Sequence, residues 1–385
     1  MSDSLWKVPL SDVAVDDELL GAAREAVASG WWSMGPRVQQ LEARFAEFTG
    51  ARHTFAVANG TAALHLALLA CGCGPGDEVV LPSLNFVAAA NVIVHVGATP
   101  VFCDIVGDSD LNLDPEDLAR AVTPRTKALL VLHYGGFPCD MDAVRAIAAE
   151  HRLAVIEDAA HAPGARYDGR TCGTIGDVGC FSFFANKNLP IGEGGMVVTD
   201  DDELAERLRL LRSHGMTTLT WDRHRGRAHT YDVVAHGFNY RLDELRAALA
   251  LVQLERLPRA NAERARVTRA YERLLEGSDV ELAFGGRRES AHHLAVAILP
   301  PETDRRAVQE RMRERGIQTS VHYPPIHQFT AFDGAHRSLP RTDDVASRIV
   351  TLPLHPGVTD AAAALVVDAL VGSVAGARRT VVAAP

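Results

Sequence analysis

The chain offers few amine groups for covalent chemistry. Of its 39 basic side chains, only Lys7, Lys127 and Lys187 are lysines. Lys187 follows an aromatic segment at residues 181–184 and precedes a glycine-rich turn at 192–195. Partial burial there would lower the pKa of the amine and favour a Schiff base, whereas a lone lysine is otherwise a solvated surface charge.

Three further segments follow predicted strands, where ligand sites form in α/β proteins. The sequence Asn-Gly-Thr-Ala-Ala-Leu at 59–64 marks a strand-to-helix turn whose backbone N–H groups suit a phosphate. Asp158 ends an apolar run, with Glu157 expected on the opposite side, and Phe86 could lie against a flat ring. Each segment has an ordinary alternative, namely a tight turn, a helix cap and a core side chain.

A phosphate cradle, an acid, an aromatic plate and an amine are together the set that pyridoxal 5′-phosphate requires. The amine forms the aldimine, and the carboxylate keeps the pyridine nitrogen protonated so that the ring can accept electrons. The six cysteines and 16 histidines show no metal-ligand spacing, so the sequence predicts no metal site.

The elements that must position these residues alternate along the first two-thirds of the chain, which indicates an α/β domain with a largely parallel sheet. Apolar runs predict strands at 53–58, 78–81, 99–103, 127–133, 153–157, 178–183 and 195–199. Helical patterns fall at 13–29, 37–49, 61–71, 86–96, 114–121, 141–151 and 202–214.

Beyond residue 240 the pattern predicts a smaller α+β domain. A long helix at 242–276, interrupted near Pro258, precedes a strand at 293–299 and helices at 303–315, 342–349 and 359–373. Residues 216–232 form a polar excursion without periodicity. We expect an N-terminal arm at 1–12, a large cofactor-binding domain at 13–250, a small domain at 251–376 and a tail at 377–385.

The composition of the chain limits the classes of partner that it is expected to bind. The formal net charge of −10 argues against a nucleic-acid partner. No apolar run approaches the roughly 20 residues of a membrane span, and the N-terminal sequence lacks the pattern of a signal peptide. The sequence therefore predicts a cytoplasmic protein with no membrane partner.

Over nearly its whole length the chain resembles the DegT/DnrJ/EryC1/StrS aminotransferases, the nucleotide-sugar branch of the fold-type I pyridoxal phosphate enzymes. That fold implies a large domain with a mostly parallel seven-stranded sheet and a smaller C-terminal α+β domain. The motifs that carry the resemblance are Asn-Gly-Thr-Ala-Ala-Leu at 59–64, Gly-Ala-Thr-Pro-Val-Phe at 97–102, Glu-Asp-Ala-Ala-His at 157–161, Phe-Ser-Phe at 181–183, Lys-Asn at 187–188 with Gly-Glu-Gly-Gly at 192–195, Gly-Phe-Asn-Tyr-Arg-Leu-Asp-Glu at 237–244 and Val-His-Tyr-Pro-Pro at 321–325.

The resemblance implies a role for each matching residue of the cofactor site. Lys187 is the Schiff-base lysine and moves the proton of the 1,3-shift, and Asp158 pairs with the pyridine nitrogen. Phe86 and Ala160 enclose the ring, and His161 lies near its 3-hydroxyl. The cofactor contacts extend to Gly60, Thr61, Ala62 and Ser182 around the phosphate, and to Asn239, which reaches that phosphate from the neighbouring subunit.

The family's homodimer with shared active sites is thereby implied. Met34, Arg241 and His322 are the expected substrate contacts, and His327 matches a position near the active site that could equally be structural. The arginines of the excursion at 216–232 could meet the diphosphate of a nucleotide sugar, although a solvated basic loop is the alternative.

The implied reaction passes an amino group from L-glutamate to a ketosugar on a nucleoside diphosphate, in deoxyaminosugar and secondary-metabolite biosynthesis. Lys187 argues against the family's dehydratase branch, in which a histidine replaces this lysine. Residues 30–36 and His161 resemble enzymes that act at carbon 4, whereas Phe86 stands where some of these have tryptophan. A dTDP-4-keto-6-deoxyhexose is therefore favoured, with 3-ketosugars, scyllo-inosose, another pyridoxal phosphate reaction and a regulatory protein on the same fold as alternatives.

Overall fold

A computed structural model describes residues 6–218, 220–287, 289–334 and 337–377. The strands are β1 (His53–Val57), β2 (Glu78–Pro82), β3 (Thr99–Cys103), β4 (Ile105–Gly107), β5 (Asp110–Leu113), β6 (Thr126–Leu132), β7 (Ala154–Asp158), β8 (Arg166–Tyr167), β9 (Arg170–Thr171), β10 (Val178–Ser182), β11 (Gly195–Thr199), β12 (Glu281–Leu282), β13 (Ala295–Ile298) and β14 (Ile349–Leu352). The helices are α1 (Asp17–Ala28), α2 (Pro36–Thr49), α3 (Gly60–Ala70), α4 (Ala88–His95), α5 (Pro115–Ala121), α6 (Met141–His151), α7 (Asp202–Arg212), α8 (Thr220–His224), α9 (Glu244–Leu275), α10 (Arg305–Glu314), α11 (Pro340–Arg348) and α12 (Asp360–Ala375).

The central sheet has seven strands in the order β1-β11-β10-β7-β6-β2-β3, which confirms the predicted mostly parallel sheet. Every neighbouring pair is parallel except the two that β11 makes. Strands β2 and β11 are buried along their whole length, as expected of a sheet covered by helices on both faces. The carboxyl ends of β1, β2, β6, β7 and β10 consequently meet at one edge.

The smaller part of the molecule is built on the antiparallel sheet β12-β13-β14. Helices α9, α10 and α12 contribute Tyr271, Met312 and Leu370 to its apolar core. Strand β14 was not predicted, because its four residues, three of them apolar, continue directly from the helical pattern of α11.

Helix α9 corrects the predicted interruption near Pro258. The structure has one helix of 32 residues that runs through this proline. Proline removes one intrahelical hydrogen bond. Tertiary packing on both sides of the proline overrides this local cost, since Leu257 is buried in the large core and Val267 in the core of the small domain. The predicted domain boundary at residue 250 lies inside this helix.

The N-terminal arm packs against the small domain, and the excursion at 216–232 contains a short helix. Residues 1–5 of the predicted arm and 378–385 of the predicted tail lie outside the described residues. Lys7 and Val8 donate backbone hydrogen bonds to Gly316, which holds the rest of the arm against the small domain. The excursion contains the short helix α8, and Met216 pairs with Val233 across its base. Within the described ranges no helix has the length and apolarity needed to cross a membrane.

Candidate active site

A pocket of about 420 Å³ opens at the carboxyl edge of the central sheet. Helix α3, the segments after β2, β7 and β10, and a loop of the small domain form its walls. The predicted site residues that line it are Gly60, Thr61, Phe86, Asp158, Ala160, His161, Ser182, Lys187 and His322.

The predicted phosphate cradle lies where α3 begins. The Asn59 side chain accepts a hydrogen bond of 2.8 Å from the Ala62 N–H and so caps the helix. A Cβ on Gly60 would lie 2.8 Å from Ser182 Cβ, so only glycine allows the two segments to approach this closely. The N–H groups of Gly60 and Thr61 lie at the positive end of α3, where an anion is stabilised. Ala62 itself is buried and lies outside the pocket lining.

Asp158 is the acid of the pocket. It is 5% exposed, and its Oδ1 accepts from the Ala160 N–H at 3.1 Å. Burial raises the pKa of this carboxyl, whereas the Ala160 hydrogen bond and the Lys187 charge lower it. A protonated pyridine nitrogen would supply the cationic partner that a buried carboxylate needs. The acid therefore fits the cofactor.

Glu157 points to the other face of β7, as predicted, and serves the structure. Its carboxylate lies 2.8 Å from His133 Nε2 and accepts backbone hydrogen bonds from Gly173, Ile175 and Gly176. These donors hold the pKa of Glu157 below its ordinary value despite its burial. Two adjacent carboxyls thus have different surroundings and different tasks.

The amine of Lys187 lies in a strongly desolvated place. Burial lowers its pKa to about 8, and the charge of Asp158 only partly restores it. About a tenth of this amine is uncharged at pH 7, and the uncharged amine is the nucleophilic form. The geometry thus supports the predicted Schiff-base chemistry.

A set of uncharged rings surrounds the amine. His161 Nδ1 accepts from the Gly135 N–H at 3.3 Å, which places the proton on Nε2, 2.8 Å from Tyr323 Oη. Burial and the nearby Lys187 charge lower the pKa of His322 to about 4 and keep that of His161 well below 6.5. Burial raises the pKa of Tyr323. The phenol therefore stays protonated and can donate a hydrogen bond.

Several expected contacts lie away from this pocket. Met34 is buried in the large core, and Arg241 donates to Ser213 Oγ at 2.9 Å. Asn239 is exposed and lies outside the pocket of its own chain. This position is compatible with the prediction that Asn239 contacts the cofactor of a neighbouring subunit. His327 is buried and lies 2.7 Å from Ser83 Oγ, which is a structural contact.

The pocket residues that sequence reasoning missed include three with polar side chains: Asn85, Asn186 and Tyr323. Among the described residues, Asn85 Nδ2 and Asn186 Oδ1 are buried polar atoms of the lining without a hydrogen-bond partner. Such atoms are costly unless a ligand satisfies them. Asn85 directly precedes Phe86, and Tyr323 directly follows His322, so proximity to a predicted residue was the available signal.

Comparison with known proteins agrees with this geometry. The DegT/DnrJ/EryC1/StrS aminotransferase family matches residues 13–371. The spore coat polysaccharide biosynthesis protein SpsC of Bacillus subtilis (strain 168) is 40% identical over 381 residues, which cover 96% of this chain and 98% of SpsC.

Solved structures share the fold. The PLP form of the putative sugar aminotransferase Spr1654 from Streptococcus pneumoniae superposes with a TM-score of 0.90 at 27% identity, covering 96% of this chain and 99% of Spr1654. DesI, solved in the presence of its TDP-sugar product, gives 0.86 at 33% identity, covering 97% of this chain and 94% of DesI.

The chain belongs to the DegT/DnrJ/EryC1/StrS aminotransferase family. It is a pyridoxal phosphate-dependent sugar aminotransferase of the fold-type I class.

Proposed function

We propose that the protein transfers an amino group from L-glutamate to carbon 4 of a dTDP-4-keto-6-deoxyhexose. The observation that carries the proposal is the placement of a desolvated amine, Lys187, in one pocket with the acid Asp158 and the cradle at Gly60. DesI, whose TDP-sugar product is named with its structure, supports a nucleotide-linked sugar as the acceptor.

The chain's own residues would hold the cofactor and move the protons. When bound, the cofactor supplies a ring that accepts electrons from the substrate carbon. Asp158 would hold the ring nitrogen, the first turn of α3 and Ser182 would bind the phosphate, and Phe86 with Ala160 would enclose the ring. Lys187 Nζ would carry the proton between the two carbons of the shift.

A homodimer is part of the proposal. Asn239 is exposed, and its backbone pairs with that of Ser213 at the base of the excursion. Its side chain is therefore accessible to a second copy of the chain. In a dimer it would complete the phosphate site of its partner.

The alternative reaction at carbon 3 of the sugar retains one favourable observation, since Phe86 occupies the position at which some carbon-4 enzymes have tryptophan.

The first experiment is the visible spectrum of the holoenzyme before and after addition of L-glutamate. We expect a yellow band that bleaches as the donor is consumed. Subsequent addition of 4-keto and 3-keto nucleotide sugars, with scyllo-inosose in parallel, should restore the band only with the true acceptor. Restoration by a 3-ketosugar alone would overturn the carbon-4 assignment, and an unchanged spectrum with every donor would overturn transamination and favour a regulatory protein.

A further inference from the structure

Two loops of the pocket are joined by buried hydrogen bonds that the chemistry described above does not use. The loop after β2, residues 83–87, carries Phe86, and the loop 321–328 of the small domain carries Tyr323. Both rings line the pocket, and their centroids are 5.8 Å apart. The relative position of the two loops therefore determines the space between these rings.

Ser83 is the point at which the two loops meet. It is completely buried, and its carbonyl oxygen accepts from the Ile326 N–H at 2.9 Å. Its hydroxyl oxygen accepts from the His327 N–H at 3.2 Å and lies 2.7 Å from His327 Nδ1. Phe86 follows Ser83 by three residues, and Tyr323 precedes His327 by four. A displacement at this contact therefore reaches both rings through a short length of chain.

The other nitrogen of the same imidazole fixes the direction of these hydrogen bonds. His327 Nε2 lies 3.0 Å from Asp343 Oδ1, and a carboxylate can only accept, so Nε2 of the neutral ring carries the proton. Nδ1 is then an acceptor, and the Ser83 hydroxyl donates to it. The three side chains Ser83, His327 and Asp343 thus form one chain of hydrogen bonds with a consistent arrangement of protons.

The outer end of this chain is anchored to the large domain. Asp343 belongs to α11, and the start of α11 is fixed by Asp104, which directly follows β3. The Asp104 carboxylate accepts from the Thr342 N–H at 2.7 Å and from the Arg341 N–H at 3.1 Å. His327 therefore lies between two anchored segments, so its side chain sets the distance between them.

We propose that His327 is a positioning residue for the sugar acceptor, because through Ser83 it fixes Phe86 relative to Tyr323. This inference rests on the proposed function, which supplies the ketosugar. Among the described residues, no hydrogen bond of the Ser83 or His327 side chain reaches the predicted cradle or Lys187. The groups that react with the amino donor therefore keep their places when the contact is broken.

The amino donor and the sugar acceptor should depend on this contact to different degrees. L-Glutamate is a narrow and flexible chain, whereas a ketosugar is a wide ring whose fit depends on the spacing of the pocket walls. The placement of reacting atoms is sensitive to displacements of about 1 Å. Breaking the contact is therefore expected to weaken the use of the acceptor and to leave the reaction with the donor nearly intact.

The test is a spectral titration of the holoenzyme in two stages. Bleaching of the yellow band by L-glutamate reports the reaction with the donor, and restoration of the band by a dTDP-4-keto-6-deoxyhexose reports the reaction with the acceptor. His327→Gln can still donate to Asp343 but offers no acceptor at the position of Nδ1, and Ser83→Ala removes the hydroxyl. Each should raise the ketosugar concentration for half-maximal restoration about tenfold and change that of L-glutamate for bleaching less than about twofold.

Two further variants serve as rescue and control. His327→Asn should stay within about threefold of the wild type for the ketosugar, because its amide oxygen can replace Nδ1 and accept from Ser83. His53→Gln is the matched control, since His53 Nε2 also lies beside an aspartate, 2.7 Å from Asp202 Oδ1, but at the start of β1, whose other end is at the pocket. It should behave as the wild type does, and the melting temperature of each variant checks its fold.

The outcomes separate this inference from the proposed function. An unaltered ketosugar requirement in Ser83→Ala, or equal losses in His327→Asn and His327→Gln, would overturn the positioning role and leave the transaminase intact. Parallel losses in both stages with a lowered melting temperature would show a contact that serves stability alone, and would overturn the role as well. A wild-type protein that L-glutamate bleaches but no ketosugar restores would overturn the proposed acceptor together with this role. Absence of bleaching would instead contradict transamination itself.

Discussion

The reactive pocket and the excursion at 216–232 differ in how far their charged groups are removed from water. In the pocket, Asp158 is buried and the pKa values of Lys187 and His322 are shifted by desolvation. On the excursion, Arg225 is exposed, and Arg223 and the Trp221 ring are half-buried. Chemistry requires groups that are fixed before the substrate arrives, and the buried pocket provides such groups whereas the open excursion does not.

The largest effect should follow from removing the amine. Lys187→Ala is expected to abolish turnover, because it removes the nucleophile and the proton carrier together. Lys127→Ala is the matched control, since Lys127 is an exposed residue of β6 and should turn over as the wild type does. Steady-state rates of the two variants decide this, and wild-type-like turnover by Lys187→Ala would contradict the central assignment.

Asp158→Asn tests the acid without changing its shape. Loss of the charge beside the ring should lower kcat by about 10²–10³-fold, on the scale of removing one preorganised electrostatic group. The holoenzyme spectrum should also shift, which a purely structural change elsewhere would not cause. A normal kcat would show that the pocket does not depend on this buried charge.

Gly60→Ala tests the cradle by steric means. The added Cβ would lie 2.8 Å from Ser182 Cβ, so the two segments must separate. We expect cofactor affinity to fall about 10- to 100-fold, as measured by titration of the apoenzyme. Gly74→Ala, whose Cβ would meet nothing within 4 Å, should leave that affinity unchanged.

The pH dependence of cofactor loading should follow the Lys187 amine. Its pKa is lowered to about 8, so about half of the amine is in the nucleophilic form at that pH, and the fraction declines about tenfold for each further unit below it. The rate at which the apoenzyme develops the yellow band should rise with pH to a plateau above about 8. A rate independent of pH between 6 and 9 would place the pKa elsewhere.

The smallest effect on stability is expected from a substitution in the excursion at 216–232. Tyr231 is 50% exposed and contacts Arg223, so Tyr231→Ala should change the free energy of unfolding by less than about 0.5 kcal/mol. Tyr134, 1% exposed beside the pocket, should cost about 3–5 kcal/mol in the same substitution. Chemical denaturation compares the two, and equal losses would remove the contrast between regions.

Much of the fold could be predicted because the central strands are short apolar runs that alternate with helical patterns along the chain. Lys187, Asp158 and Gly60 could likewise be found, since each stands beside a strand end. Asn85 and Tyr323 were missed because their importance lies in buried polar atoms facing the pocket, which only packing reveals. The predicted interruption of the helix near Pro258 was wrong for a related reason. Local propensity predicts a break at proline, whereas contacts between residues distant in sequence maintain the helix.

Strand β11 runs opposite to the other six strands of the central sheet, and its direction affects how Lys187 is held. Because it returns beside β10, the segment carrying Lys187 leaves and re-enters the sheet at the same edge. The Phe183 N–H donates to Gly194 O at 2.8 Å, and the Ile191 N–H donates to Phe183 O at 3.0 Å, which clamps both ends of that segment. The position of the Lys187 amine is thus fixed by strands on both sides of the segment, β10 before it and β11 after it. Lengthening this segment would displace the amine, whereas lengthening a turn at the opposite edge would leave it in place.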